Sequence, residues 1–280
     1  MTNDEARLWL RLIWTDGMSF PLAKDLLGAF GLPERIFCAK QTRLAEIVPH
    51  PVARKLYYPE GTALRKRLDT ALAWLEKTPE ASLVTLADAD YPRGFLGMPE
   101  PPVAFFVPGC RGMITRPAFS FIGTENPTEE ALSVMTAWIR RLSRRDVILS
   151  EDDSRGVPLL AASSARAQKM PCALFPSEPL ALSPNPSPLS VSIASDPFSG
   201  GPEEAKRLFL GFTGAFVLLE DTIFSKNMRF LREAADLNKT ALGVPGPVTS
   251  PLSRGPHKVI RDGGMLCESE ADILKALGDF

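Results

Sequence analysis

Basic and small polar residues follow the apolar segments in the last third of the chain, where they could form a ligand site. They are Lys206, Arg207, Ser225, Lys226, Arg254, His257 and Lys258. Ammonium and guanidinium groups donate charge-assisted hydrogen bonds to phosphate oxygens, so this set is suited to a phosphate-containing ligand. The alternative interpretation is an ordinary solvated rim of cations around the edge of a sheet.

The cysteines and histidines do not form a metal-binding or catalytic pattern. The four cysteines are scattered without a Cys-x-x-Cys pair, and two histidines alone make a zinc site improbable. Cys172 and Cys267 lie in apolar, strand-like contexts, which predicts reduced cysteines in a core. The sequence contains neither a Gly-x-Ser-x-Gly nor a His-Glu-x-x-His motif. We therefore expect no metal, no cofactor and no catalysis.

The composition is that of a globular protein without a dominant charge. Of the 280 residues, 45% are hydrophobic and 23% are charged, which is typical of folded domains. The formal net charge of −1 means that any basic surface must be local. No apolar run reaches membrane-spanning length, and the start of the chain is not the basic start of a secretory signal. We expect a cytoplasmic protein with no membrane partner.

The first 80 residues show helical periodicity. Gly17 and Pro21 separate the first two predicted helices. Residues 15–31 are similar to a degenerate helix-hairpin-helix, a small helical unit that often contacts nucleic-acid backbone. A helical module used for packing or self-association explains the same pattern. The run Arg-Lys-Arg at residues 65–67 is interpreted as a solvated helix face.

From residue 81 onward, short apolar segments alternate with helical ones. The predicted strands include Val103–Val107, Ala118–Ile122, Val147–Leu149, Cys172–Phe175 and Ala215–Leu219. This alternation predicts a parallel sheet, and open sheets of this kind bind ligands at the carboxyl ends of their strands. Asn126, with Pro127 behind it, is the predicted N-cap of one helix. Residues 176–202, rich in Pro and Ser, are predicted to form a long loop or lid.

A series of short motifs runs in a fixed order through residues 83–277. They are Tyr91-Pro92, Pro101-Pro102, Phe105-Phe106, Gly109, Gly123, Ser150…Arg155-Gly156, Lys206-Arg207…Gly211-Phe212-Thr213, Ser225, Pro245-Gly246, Ser253-Arg254-Gly255 and Val259-Ile260…Gly263-Gly264. Each motif alone is short, but the ordered set resembles the DprA/Smf family of DNA-processing proteins.

The resemblance implies a function in DNA uptake, natural transformation (competence) and recombination. Members of this family bind single-stranded DNA, protect the incoming strand and load the RecA recombinase, commonly as homodimers. Many carry a C-terminal winged helix, which this chain, ending at Phe280, is expected to lack. Together with the strand-end argument, the resemblance assigns DNA binding to Gly123, Thr124, Arg155, Gly156, Lys206, Arg207, Ser225, Lys226, Asn227, Arg254 and Lys258.

The fold class implied is α/β. We expect an extended Rossmann-like parallel or mixed sheet with a small N-terminal helical domain of the SAM or helix-hairpin-helix type. The predicted domains are a helical domain over residues 1–80 and a Rossmann-like domain over residues 81–280, which includes the loop 176–202.

The family's phosphate-binding loops are altered in this sequence. Gly-Ser-Arg of the first loop is Gly-Thr-Glu at residues 123–125, and Glu-Asp-Asp at residues 151–153 replaces the glycine-rich part of the second. A carboxylate about 7 Å from a phosphate repels it by about 2 kcal/mol at an effective dielectric constant of about 20, before salt screening. We therefore expect a weakened phosphate cradle. The strand would instead follow Lys206, Arg207, Lys226, Arg254 and Lys258.

Two other functions remain open. The acidic loops also suit a divergent homologue that has lost DNA and acts through a protein partner or dimerisation. An enzyme of the nucleotide phosphoribohydrolase type is the other alternative, but its Pro-Gly-Gly-x-Gly-Thr loop would correspond to Pro-Gly-Pro-Val-Thr at residues 245–249. The adjacent carboxylates Glu220 and Asp221 alternate across a strand end, so they do not form an acid–base pair.

Overall fold

The computed structural model describes residues 1–152, 154–182 and 189–278, and its N-terminal part is helical. The helices are α1 Asn3–Trp14, α2 Phe20–Phe30, α3 Pro33–Cys38, α4 Gln41–Leu44, α5 His50–Tyr57 and α6 Thr62–Lys77. A capping box between Thr2 and Glu5 begins α1. Pro21 lies in the first turn of α2, where its missing N–H has no intrahelical partner to lose. The predicted helical character of this region is confirmed.

Strands and helices alternate through the rest of the chain. They are β1 Ser82–Thr85, α7 Arg93–Leu96, β2 Ala104–Val107, β3 Ala118–Ile122, α8 Glu129–Leu142, β4 Ile148–Asp152, α9 Val157–Ala167, β5 Cys172–Phe175, β6 Ser190–Ser192, α10 Pro202–Phe212, β7 Ala215–Leu218, α11 Lys226–Asp236, β8 Thr240–Gly243, α12 Arg254–Arg261, β9 Met265–Leu266 and α13 Glu270–Gly278. Short 3-10 turns lie at Arg111–Thr115, Leu180–Leu182 and Pro251–Ser253.

A parallel sheet forms the centre of the molecule. Within the described residues it has seven strands in the order β6-β5-β4-β3-β7-β8-β9. One face packs against α10, α11 and α12, and the other against α8, α9 and α13. From β3 the chain adds β4, β5 and β6 on one side, and it then crosses to add β7, β8 and β9 on the other side. Such a reversal of strand order opens a crevice at the carboxyl ends of β3 and β7. The predicted α/β, Rossmann-like fold is confirmed.

A second, two-stranded antiparallel sheet joins the helical region to the parallel sheet. In β2, Ala104 and Phe106 face the cluster formed with α1, α2 and α6, whereas Phe105 and Val107 belong to the core under α10 and α11. Successive side chains of a strand point to opposite faces, so this short strand packs on both sides. The two-stranded sheet therefore fastens the N-terminal helices to the Rossmann-like part.

The cap of α8 differs from the prediction. Thr128, not Asn126, is the N-cap, and its Oγ1 accepts a hydrogen bond of 3.2 Å from the N–H of Ala131. Thr128 is also held by Glu220, whose carboxylate accepts from its N–H and from its hydroxyl. This contact with a distant loop fixes the start of the helix two residues later than the local sequence suggests.

The prediction of one long loop over residues 176–202 was wrong in part. Ser190–Ser192 form β6, which pairs in parallel with β5 and extends the sheet at one edge. A 3-10 turn, Leu180–Leu182, lies in the same segment, while residues 183–188 of the predicted loop fall outside the described part of the chain. Backbone pairing with β5 therefore makes a strand of a sequence too short to show a period.

The core contains the residues expected there. Cys172 and Cys267 are buried and free, as predicted. Phe209, Phe212 and Phe216 are buried between α10, α11 and the sheet, so they do not supply an exposed protein interface. Within the described residues, no helix combines the length and the apolarity needed to cross a membrane.

Candidate nucleic-acid interface

A cavity of about 590 Å³ lies at the carboxyl ends of β3, β4 and β5, bordered by the first turns of α10 and α11. We call it the sheet-end cavity. Its lining includes three cations from separate segments: Arg155 after β4, Lys206 on α10, and Lys226 at the start of α11. Asn227 also lines it, and its Nδ2 donates to the carbonyl of Gly123 at 2.9 Å and to the Asp221 carboxylate at 2.7 Å. These four predicted residues do converge.

Carboxylates line the same cavity in equal number. They are Glu125, Asp152 and Glu203. Lys206 is in addition paired at 2.6 Å with Glu233 outside the lining, and this hydrogen bond lowers the pKa of Glu233. The sheet-end cavity is therefore balanced in charge, so the attraction of its cations for a phosphate is partly offset.

The acidic run after β4 contributes less repulsion than the sequence suggested. Glu151 is buried on the strand, 3.3 Å from the guanidinium of Arg166, and burial raises the pKa of its carboxyl group. Asp152 lines the cavity, where it accepts hydrogen bonds from the N–H and the hydroxyl of Ser154. Asp153 lies outside the described residues. One of the two described carboxylates is thus directed away from the cavity.

Gly123, Thr124 and Gly156 hold two loops together. A Cβ added at Gly156, whose φ is +76°, would lie 2.3 Å from the Cα of Glu125 and 2.4 Å from the carbonyl oxygen of Thr124. The N–H of Thr124 donates to the carbonyl of Glu220 at 2.7 Å, so it already has an acceptor. A Cβ at Gly123 would lie 2.7 Å from that carbonyl oxygen. These predicted binding residues shape the cavity wall, and the Thr124 amide is not free to donate to a phosphate.

Arg207 does not reach the sheet-end cavity, contrary to the expected continuous rim. Consecutive helical residues point about 100° apart, so Lys206 and Arg207 face different sides of α10. The Arg207 guanidinium donates to the Glu204 carboxylate at 2.7 and 2.8 Å and to the carbonyl of Glu100 at 2.8 Å. It lines a different cavity, bordered by Trp14 on α1.

The last two predicted cations lie beyond the cavity lining. Lys258 pairs with Asp262 on the same turn of α12, at 2.8 Å. Arg254 is exposed at the first residue of α12. The next N–H, that of Gly255, donates to the carbonyl of Asp221 at 2.9 Å. Arg254 therefore stays at the same sheet edge, by the end of β7, whereas the charge of Lys258 is partly neutralised.

The start of α11 carries features that the sequence patterns indicated only in part. Ser225 is the N-cap, and its buried Oγ has no hydrogen-bond partner among the described residues. The preceding residue, Phe224, is 91% exposed, and we did not single it out from the sequence. Its position as an apolar residue in a polar loop was the one feature of the sequence that could have indicated this exposure. A hydroxyl, an ammonium and a free aromatic ring thus meet at one helix N-terminus.

Comparison with known proteins gives one consistent result. No protein-family model matches the sequence. The chain is 22% identical over 228 residues to the protein Smf of Escherichia coli K12, which covers 76% of this chain and 61% of Smf. It is 19% identical over 209 residues to the DNA processing protein DprA of Bacillus subtilis 168, which covers 69% and 70%. The match thus spans about three fifths of the length of Smf.

Solved structures show the same fold. DNA processing protein A (DprA) from Streptococcus pneumoniae superposes with a TM-score of 0.69 at 16% identity, over 98% of both chains. The structure of DNA processing protein A from Helicobacter pylori, described for its single-stranded DNA binding mode, gives 0.56 at 17% identity, over 71% of this chain and 96% of that one. The chain is thus similar in sequence to two DprA/Smf proteins and has the fold of solved DprA structures. The two stretches that differ from the DprA/Smf pattern, at residues 123–125 and 151–153, contribute Glu125 and Asp152 to the lining of the sheet-end cavity.

Proposed function

We propose that the chain binds single-stranded DNA in the sheet-end cavity. The observation that carries the proposal is the convergence of Arg155, Lys206 and Lys226 on one cavity at the carboxyl ends of parallel strands, in a chain that is similar to DprA/Smf proteins. Open α/β sheets bind ligands at this edge, and cations from several segments can follow a phosphate backbone. The relative from Helicobacter pylori is described as binding single-stranded DNA, which supports the same ligand here.

The N-terminus of α11 is the best phosphate position in the cavity. The first N–H groups of a helix lack intrahelical acceptors and carry the positive end of the helix dipole. Here they are joined by the Lys226 ammonium, which lines the cavity, whereas the unpartnered Ser225 hydroxyl is buried and lies outside the cavity lining. Asn227 holds this turn to the end of β3 through the carbonyl of Gly123, so its role is to position the helix.

A partly exposed aromatic ring lies among the cations. Phe230 lines the cavity with its ring centre 5.7 Å from the Lys206 ammonium, whereas Phe175 and Phe209, which also border the cavity, are fully buried in the core. Nucleic-acid bases and sugars pack on such rings without regard to sequence. We therefore infer binding that tolerates any base sequence.

We also propose that this function involves no catalysis. Glu220 is committed to the N–H and hydroxyl of Thr128, and Asp221 to Asn227 and its own following N–H. Both carboxylates thus stabilise local structure and are poorly placed to exchange protons with a substrate. Release of free base from a nucleoside monophosphate would contradict this part of the proposal.

The proposed cellular role is supported only by the similarity to DprA/Smf proteins. We propose that the protein acts in the cytoplasm during DNA uptake, natural transformation and recombination, protects single strands, loads RecA and forms a homodimer. Light scattering after size exclusion measures the mass in solution. A RecA filament assay on a strand coated with single-strand binding protein measures loading. A monomer, or no gain in filament formation, would contradict the respective part.

The test of DNA binding uses oligothymidylate titrated against the full chain at several salt concentrations. The Lys226→Ala variant should weaken binding and reduce the slope of log K against log salt by about 0.7, the value for one lost phosphate contact to a single strand. Glu125→Arg should tighten binding roughly tenfold, because a repulsion of about 2 kcal/mol becomes an attraction that salt partly screens. Glu34→Arg, on exposed residue 34 of α3, is the matched charge control and should have little effect.

A second candidate function is supported by the balanced charge of the cavity. Carboxylates equal cations in its lining, and Phe224 and Val248 are 91% and 83% exposed on the loops after β7 and β8. Exposed apolar side chains at one sheet edge suit a protein partner. If DNA titration stays flat at low salt while the chain captures a partner that Phe224→Ala releases, this function replaces the first.

A further inference from the structure

The outer face of α6 forms a groove with the segment that leads into α10. We call it the α6 groove. Its volume is about 650 Å³, and it is lined by Thr62, Arg65, Lys66, Asp69, Thr70, Ala73, Trp74, Lys77 and Phe198. The α6 residues follow intervals of three and four, so they form one continuous stripe along the helix. The DNA-binding residues inferred from the sequence include none of these.

This groove carries more unopposed positive charge than the sheet-end cavity. Arg65, Lys66 and Lys77 are exposed, and none of them forms an ion pair with another described residue. Among the described lining residues the one carboxylate is Asp69, which pairs at 2.7 Å with Arg7, an arginine that also binds Glu60 at 2.6 Å. A solvated helix face usually intersperses both signs of charge. Here three free cations follow a concave surface.

Two aromatic rings lie between these cations. Phe198 is 37% exposed, and Trp74 is half-buried with its ring edge against Phe106. Phe198 is held beside α6 because Asp196 accepts both from its N–H and from the Arg67 guanidinium. Rings anchored on one side and open on the other, among cations, are what single-strand binding surfaces use to stack unpaired bases.

The groove is adjacent to the sheet-end cavity along the chain. Phe198 lines the groove and Pro202 lines the cavity, and four residues of chain span at most about 14 Å. One strand can therefore extend from the first turn of α10 onto α6 without leaving the surface.

We propose that the α6 groove is a second binding surface for the same single strand, with phosphates on Arg65, Lys66 and Lys77 and bases on Trp74 and Phe198. The inference rests on the proposed function, since it takes the same ligand. It predicts that a long oligothymidylate covers both surfaces, whereas a short one fills the sheet-end cavity alone.

The experiment measures fluorescence anisotropy of labelled short and long oligothymidylates with the full chain across a salt series. In the triple variant Arg65→Ala, Lys66→Ala, Lys77→Ala, the salt slope for the long strand should fall by about 2, which is three contacts at about 0.7 each. Phe198→Ala should weaken the long strand roughly fivefold or more. The matched control removes three exposed cations from the last turn of α8 and the turn that follows it, as Arg140→Ala, Arg144→Ala, Arg145→Ala, and should leave the slope unchanged.

The outcomes separate this inference from the proposed function. If wild type binds neither strand, both fail. If Lys226→Ala weakens both strands while the triple variant matches its control, the α6 groove is overturned and the cavity stands. Equal effects of the triple variant on short and long strands, or tighter binding of a duplex that depends on the groove, would also overturn the inference. All substituted cations are exposed, so an unchanged thermal unfolding midpoint is expected and excludes misfolding as the cause.

Discussion

Single side chains set the balance of charge in the sheet-end cavity. Lys206 faces both the cavity and Glu233, so its ammonium is shared between a ligand and a fixed carboxylate. Arg155 and Lys226 have no such partner among the ion pairs of the described residues. A phosphate entering the cavity should therefore interact most strongly with these two, which come from the β4–α9 loop and from α11.

Lys239 is a buried cation away from this cavity, and it makes stability depend on pH. Its Nζ donates to the carbonyls of Gly94 and Gly211, and burial lowers its pKa from 10.5 to about 8. Between these two values the unfolded chain binds more protons than the folded one. The free energy of unfolding should therefore rise with pH from about 8 to about 10.5, by about 3 kcal/mol over the whole range.

The measurement compares denaturant unfolding of wild type and Lys239→Met at about pH 7 and about pH 10. Wild type should gain about 2.5 kcal/mol relative to the variant between these two pH values, because the other titrating groups are common to both. A difference between the two proteins that stays constant with pH would contradict the lowered pKa.

For individual site residues, the structure shows which positions could be predicted from the sequence. Lys226 and Asn227 were predictable because a loop directly after a buried strand of a parallel sheet must lie at its ligand-binding edge. Arg207 was not, because the phase of α10 sends it to a different cavity from its neighbour Lys206. A motif match does not determine which face of a helix each of two consecutive residues occupies.

At the scale of elements, continuous apolar runs were the reliable signal. Cys172–Phe175 is both the predicted strand and the observed β5, because a strand covered on both faces needs apolar residues throughout. β6, with the sequence Ser-Val-Ser, has no such run, and it exists through hydrogen bonds to its neighbour. Strands at the edge of a sheet are thus specified by the rest of the fold more than by their own residues.

The start of α8 gives a direct test of a cap that the local sequence did not reveal. Thr128→Ala removes the hydrogen bond to the N–H of Ala131 and one of two bonds to Glu220. The free energy of unfolding should fall by about 1–2 kcal/mol. Denaturant unfolding measures it, with Asn126→Ala as the matched control, because the exposed Asn126 side chain caps nothing. Equal decreases in the free energy of unfolding of the two variants would contradict the assignment of Thr128 as the N-cap.

For the whole molecule, positive charge is a local property. The formal net charge is −1, yet the α6 groove gathers unpaired cations while the sheet-end cavity balances its own. A strand that binds both surfaces would rely on the helical region for electrostatic attraction and on the sheet edge for shape. In the proposed binding mode the α6 groove compensates for the altered phosphate cradle, which requires the two regions to be rigidly joined.

The connection between the helical region and the parallel sheet can be tested at Phe106 on β2. This side chain is fully buried between Trp14 and Trp74, and the preceding residue, Phe105, packs in the main core. Phe106→Ala should lower the free energy of unfolding by about 3–5 kcal/mol. Tryptophan fluorescence reports mainly on the N-terminal helices, and far-ultraviolet circular dichroism reports on the whole chain. Because β2 packs on both faces, the two signals should still show the same unfolding transition. Phe224→Ala, at an exposed ring, is the matched control and should change neither. If fluorescence alone shifted to lower denaturant, the helical region would be an independent unit. The two DNA surfaces would then lack a fixed relative position.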